Sequence, residues 1–275
     1  MTAIPKPDAA EPPRAPSQAE WDALSEEGRQ ALRARLGPMP DHEALPPEGD
    51  WHIDAVRAAE DALDGHFHKR GRGVYIGRGL TVYYANERRF APDLFVVLDV
   101  PVHKRTVWIV ADEKRGLDFV MEVHYGGRRK KDAEENVVRY ARLGISEYFM
   151  FDARRMSLFG WRLANPTDRT YTRIIPQNGR WAVQTLGLEL GVRDGLPRWF
   201  DGLGLVPVVR ELNTELSTAL NDALERAQQA ETERDTFEAE RDAVQTERDA
   251  VEAERDAALA EVARLRAELE RLRGE

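Results

Sequence analysis

At 275 residues the chain can enclose one core and carry an appendage, and its lack of cysteine excludes disulfides, thiolate metal sites and thiol nucleophiles. The formal charge of -9 is unevenly placed: residues 211–275 hold 19 acids against 9 arginines, net -10, while the remainder holds 31 bases and 30 acids, net +1. The body is therefore close to neutral, and the overall acidity does not exclude a nucleic-acid partner met through local basic patches.

Residues 1 to about 17 carry five prolines and few apolar groups, which predicts a disordered arm. Ser17 caps a short predicted helix reaching Leu36, with Glu20 in the capping-box position, and Gly37-Pro38 ends it. Pro40 to Gly49 reads as a linker. The first residues lack the apolar core of a signal peptide, and no apolar run approaches the roughly 20 residues that span a bilayer. With the absence of cysteine, this sets the expectation of a soluble cytoplasmic protein without a membrane partner.

The body begins near Trp51, with a helical pattern over Ile53–Leu63. His66-Phe67-His68 could set two imidazoles on one strand face, but no third ligand lies nearby in sequence. Apolar or alternating segments follow at Gly73–Ile76, Leu80–Tyr84, Leu94–Val100, Thr106–Val110 and Leu117–Val123. The glycines around Gly71-Arg72-Gly73 lead into a strand rather than a helix, which argues against phosphate cradling. A helix is expected over Asp132–Leu143, with Asp132 and Glu135 as a capping box and Gly144 as its stop. Further strands are expected at Glu147–Phe151, Ser157–Leu163, Tyr171–Ile175 and Trp181–Leu186. Strands around one central helix predict an α/β domain with a mixed sheet.

The tail repeats with a strict seven-residue period, Glu233-Arg234-Asp235 recurring at Glu240, Glu247 and Glu254. One seam reads Phe237, Val244, Val251, Ala258, Leu265, Leu272; its partner reads Arg241, Arg248, Arg255, Val262, Leu269. Three seam arginines weaken the first half as a coiled coil, whereas the last two heptads are orthodox. Pairs such as Arg248/Glu252 support the helix alone, each by ~0.2–0.5 kcal/mol. Two readings stand, a homodimer through residues 237–272 and a solvated charged helix. The expected domains are 1–45, a disordered arm with a short helix; 46–210, the folded body; and 211–275, the helical tail.

Two acids 29 positions apart carry the functional signal. Asp93 follows Pro92 at the entry to one strand, and Glu122 lies in the last part of another. Carboxylates supply the hard oxygens that magnesium prefers, usually only one or two from protein. A cation held there could activate water against a phosphodiester. Spacing alone equally suits two solvent-facing strand ends. His124 shares the face of Glu122, since side chains alternate along a strand, and could position or deprotonate water; a partly exposed histidine is the plain alternative. Arg128, Arg129, Lys130 and Lys131 place four cations in a row, fit either for phosphate contacts or for a solvated loop. Asp132 reads as a cap rather than a ligand. No Gly-x-Ser-x-Gly elbow exists, leaving serine hydrolase chemistry without support.

The stretch from Pro92 to Asp152 resembles the Uma-type restriction endonucleases of the PD-(D/E)XK nuclease superfamily. The residues that carry the resemblance are Pro92-Asp93, Glu122-Val123, Arg128-Arg129, Asp132, Tyr140 through Tyr148, and Asp152, with Leu186-Gly187-Leu188-Glu189-Leu190 beyond. It implies a restriction-endonuclease-like core, a mixed sheet flanked by helices, with Asp93 and Glu122 binding Mg2+ (or Mn2+) and DNA as the partner. The family's Ser-Pro-Ser/Thr turn is Tyr125-Gly126-Gly127 here, and the lysine four residues into its helix is Asn136. His124, Lys130 or Lys131 would then take the lysine's role; otherwise the chain is an impaired nuclease fold used for binding or scaffolding.

Overall fold

The computed structural model describes residues 12–40, 49–126 and 130–273. The expected arm divides accordingly: residues 1–11 lie outside the described ones, but Ala15 is buried and bridges Ala85 in parallel. The arm is thus ordered before residue 17. The predicted helix up to Leu36 is two helices, α1 (Gln18–Asp22) and α2 (Glu26–Arg35). Ser17 and Glu20 form the expected capping box, and Ser25 caps α2 by accepting the Gly28 amide at 3.2 Å. Serine at this second cap competes with helix continuation, which is why the chain breaks there.

Helix α3 (Asp50–Lys69) runs further in both directions than its expected core. Its buried residues, His52, Ala55, Val56, Ala59, Ala62, Leu63, His66 and Phe67, recur every three or four positions and form one face. This corrects the placement of His66 and His68: both are helical, His66 is buried and His68 is exposed.

Six strands form the central sheet: β1 (Val74–Gly77), β3 (Leu94–Leu98), β5 (Phe119–His124), β6 (Glu147–Asp152), β7 (Ser157–Arg162) and β8 (Thr172–Ile174), ordered β1-β3-β5-β6-β7-β8. β5 and β6 pair in parallel and the other neighbours antiparallel, so the sheet is mixed. A second parallel pair joins β2 (Thr81–Tyr83) to β4 (Val107–Ile109), with the short α4 (Val110–Glu113) after it. Every residue of β3, β5 and β6 is buried, because both faces are covered.

On one face Leu94, Val96, Phe119, Met121 and Phe149 join α3 and Trp199 in a single cluster. On the other, Phe95, Val97, Val120, Tyr148 and Met150 pack with Tyr140 and Trp108. Each such side chain contributes about 1.5–3 kcal/mol when fully buried. Across the β6–β7 pair Phe149 lies opposite Gly160, and a Cβ there would come within 2.6 Å of the Phe149 ring.

Three further strands lie beyond the sequence expectation. β9 (Arg180–Val183) ends earlier than Leu186, and β10 (Leu188–Arg193), β11 (Leu196–Asp201) and β12 (Gly204–Leu205) complete an antiparallel sheet ordered β12-β11-β10-β9. It is joined to the core by Trp199, whose indole N–H donates to the Ala59 carbonyl at 3.0 Å.

The connection from β5 to β6 also departs from expectation. Asp132 does not cap a helix. Lys131–Glu135 forms one π-helical turn, the Asn136 amide donating to the Lys131 carbonyl, and α5 (Asn136–Arg142) continues from it. Gly144 stops the helix as expected, with φ +76°. The mixed sheet flanked by helices is an α/β nuclease-like architecture.

The chain divides into two compact units, residues 1–211 and 212–275. Helix α6 (Val209–Arg273), 65 residues or about 98 Å at 1.5 Å per residue, supplies all the described residues of the second unit. Its apolar seam residues, including Phe237, Val244, Val251, Leu265 and Leu269, are exposed in the single chain.

Candidate functional site

Asp93 and Glu122 are tied reciprocally through the backbones of their own strands. The Asp93 amide donates to Glu122 Oε2 at 3.3 Å, and the Val123 amide donates to Asp93 Oδ2 at 2.8 Å. Pairing of β3 with β5 sets this up, since Leu94 lies opposite Met121 and places the preceding residue beside the end of β5. Pro92 has no N–H to lose and feeds the chain into the strand extended. A third element reaches in: His52, in the first turn of α3, puts Nε2 at 3.1 Å from Asp93 Oδ2.

Glu122 points to the α5 face of the sheet, the face of Val120 and His124. It is buried, and its Oε1 accepts from the Tyr140 hydroxyl and from Asn136 Nδ2 at 3.3 Å. Asn136 Nδ2 also donates to Asp132 Oδ1 at 3.2 Å, while the Tyr148 hydroxyl holds the Asp132 backbone carbonyl at 2.8 Å. His124 Nδ1 stands 3.6 Å from Asp132 Oδ2, and Lys131 Nζ 3.7 Å from Asp132 Oδ1.

Burial pushes the Glu122 carboxyl well above the usual carboxylate range, and the negative charge of Asp93 pushes it further. Lys131 pulls the other way, Asp132 adds to the rise, and the Tyr140 hydrogen bond opposes it. Burial likewise drives the hydroxyls of Tyr140 and Tyr148 above the ordinary phenol range, with the charge of Glu122 adding to both, so both remain donors.

Four of the residues singled out from sequence, Asp93, Glu122, His124 and Lys131, thus belong to one neighbourhood. Lys130 is exposed at the head of the π turn. Arg128 and Arg129 lie outside the described residues. Sequence reasoning missed four contributors. His52 lies 41 positions before Asp93 without a motif around it. Asp132 read as a cap, Tyr140 as a helix residue, and Asn136 only as a lost charge. One signal was present: Asp132, Asn136 and Tyr140 recur every four residues, a polar stripe on one side of a helix.

The donor chemistry suits a hard divalent cation, because Asp93 and Glu122 supply oxygens whose mutual repulsion a cation would relieve. Among the described residues no group of three or more histidine or acidic side chains is arranged to hold a metal unaided. Two carboxylates are within what magnesium ordinarily takes from protein.

A structure described as "a putative nuclease belonging to DUF820" from Anabaena variabilis ATCC 29413 aligns over 58% of this chain and 83% of its own, at 14% identity and a TM-score of 0.41. No curated protein matches the chain. The family model "Uma2: Putative restriction endonuclease" matches residues 41–196, more than half the chain and all of the strands and helices that build the site. The chain therefore belongs to the Uma2 family.

Proposed function

We propose that this chain is a DNA endonuclease that hydrolyses phosphodiester bonds with magnesium, or manganese, at Asp93 and Glu122. The observation that carries the reading is the reciprocal tie between these two acids, which holds both carboxylates together at the ends of β3 and β5. A divalent cation bound there would polarise a phosphate oxygen and lower the pKa of an attacking water. The protein's own groups do the rest. Tyr140 and Asn136 orient Glu122 by occupying Oε1. Lys131 supplies positive charge beside Asp132 and Glu122, and takes the part of the lysine that Asn136 replaces. His124 would hold or deprotonate water, a role its position 3.6 Å from Asp132 supports. Arg128, Arg129 and Lys130 contact the phosphates flanking the cut. A cytoplasmic location accords with this reading, and no helix among the described residues is long and apolar enough to cross a membrane.

The test is metal binding and plasmid cleavage by the intact protein, Asp93→Ala and Glu122→Ala, each checked for retained folding. Both activities vanish in the variants if the reading holds; cleavage at the intact rate in either variant overturns it.

A second reading has one observation in its favour. Asn136 is neutral and hydrogen-bonded to both Glu122 and Asp132, so the site is satisfied without a helix lysine. On that reading the fold binds nucleic acid or a partner without cutting, and assembles as a homodimer through residues 237–272.

A further inference from the structure

We propose that His52 is a positioning residue of the metal centre: its imidazole N–H fixes the rotation of the Asp93 carboxylate for a divalent cation. This rests on Asp93 being a metal ligand, as argued above.

Asp93 sits at a strand entry, where one turn about its side-chain bond would aim the carboxylate elsewhere. Two donors from different elements converge on a single oxygen. The Val123 amide reaches Oδ2 from β5 at 2.8 Å, and His52 Nε2 reaches it from α3 at 3.1 Å. A backbone donor alone leaves the plane of the carboxylate free to swing about that one bond; a second donor from another direction removes that freedom. Magnesium demands near-ideal octahedral geometry, so a ligand held in one orientation binds it better than one that must be ordered on binding.

The chemistry of His52 argues against packing as its whole purpose. It lies on the buried face of α3 beside Ala55, Val56 and Ala59, and is 9% exposed. An apolar side chain would satisfy that face without the desolvation of an imidazole. Instead a polar ring is buried with its Nε2 on a carboxylate, the arrangement by which outer residues orient metal ligands. The imidazole needs only a proton on Nε2, which one of the two neutral tautomers carries and which the facing carboxylate oxygen selects. Position along the helix matters as well. In the first turn of a 20-residue helix, the ring is held by the packing of everything that follows on the same face.

The experiment is calorimetric titration of Mn2+ into the full chain, with and without a DNA duplex, for the intact protein, His52→Leu and His52→Gln, with thermal melting of each. Glutamine keeps an amide N–H where the imidazole Nε2 donates; leucine fills the space and donates nothing. The expected result is a loss of affinity of about tenfold or more in His52→Leu and recovery to within about threefold in His52→Gln. Equal affinity in His52→Leu and the intact protein overturns the inference while leaving the metal site standing. An affinity in His52→Gln as poor as in His52→Leu also overturns it, assigning His52 to packing. If the intact protein takes no Mn2+ even with duplex present, the proposed metal site itself fails, and the inference with it.

Discussion

The Tyr140 hydroxyl donates directly to Glu122 Oε1, joining α5 to the end of β5 inside a fully buried cluster. A phenol is well matched to this position. Burial holds it protonated, so it always donates, and it favours the ionised form of an acid whose surroundings oppose ionisation. Tyr140→Phe removes the donor and leaves the ring. Stability should fall by about 0.5–1.5 kcal/mol, as for one hydrogen bond lost while Asn136 still meets Oε1, and Mn2+ affinity should fall with it. Chemical denaturation and calorimetry on the same samples check both.

Asn136→Lys tests whether the missing helix charge limits the chemistry. The carboxamide already reaches Glu122 and Asp132, so a lysine there brings its ammonium group between two carboxylates. Cleavage of supercoiled plasmid in Mn2+ should rise by about tenfold or more, in keeping with what a positioned proton-transfer or charge-stabilising group contributes. An unchanged rate would show that Lys131 already supplies the charge.

Glu147 is an acid of the same sheet with a different office. It is buried, ion-paired with Arg162 at 3.0 Å, and accepts the Gln184 and Thr185 amides at 3.1 and 2.9 Å. It fastens the chain after β9 to the start of β6. Glu147→Ala removes the partner of a half-buried arginine and of two amides, and should cost about 1–3 kcal/mol. Metal affinity, measured below the melting range, should stay unchanged.

His66 gives the fold a dependence on acidity. Its Nδ1 accepts from Arg70 at 3.1 Å, which requires the neutral ring, and burial followed by the Arg70 charge lowers its pKa below the ordinary value. The folded state therefore binds fewer protons than the unfolded state near pH 6.5, so this contribution is whole above that value and is lost as the pH falls through it. The urea midpoint should drop between about pH 7.5 and about pH 5, and His66→Gln should flatten that slope. A slope identical in both proteins would assign the effect to other groups.

The tail prediction concerns assembly. Leu265 and Leu269 are about half exposed in the single chain and belong to the two orthodox heptads. Light scattering should give the mass of two chains for the intact protein and of one for Leu265→Asp with Leu269→Asp. A single-chain mass in both would retire the homodimer.

What could be read in advance follows physical lines. β3, β5 and β6 were legible because strands buried on both faces write themselves as continuous apolar runs. β10 and β11 were not. Gly191 and Pro197 interrupt their pattern, and they exist through pairing with each other and with β9. In the site, Asp93 and Glu122 were legible as strand-end acids and through the family resemblance. Asp132 was misread because Asp-x-x-Glu spacing imitates a capping box, while the π turn carries that side chain inward beside Asn136. His52 was invisible, since only tertiary packing brings the first turn of α3 to Asp93.

The π turn makes this neighbourhood answer to the number of residues as well as to their kind. It holds one residue more per hydrogen-bonded turn than the α-helix that follows it. Deleting Ala133 or Glu134 would let the segment rewind as α-helix, turning what precedes it by about 100° relative to α5. Lys131 and Asp132 would then leave the side of Glu122 and His124 while each remained in the chain. A relative with all the same side chains and one residue fewer here would keep the fold's ingredients and lose their meeting point.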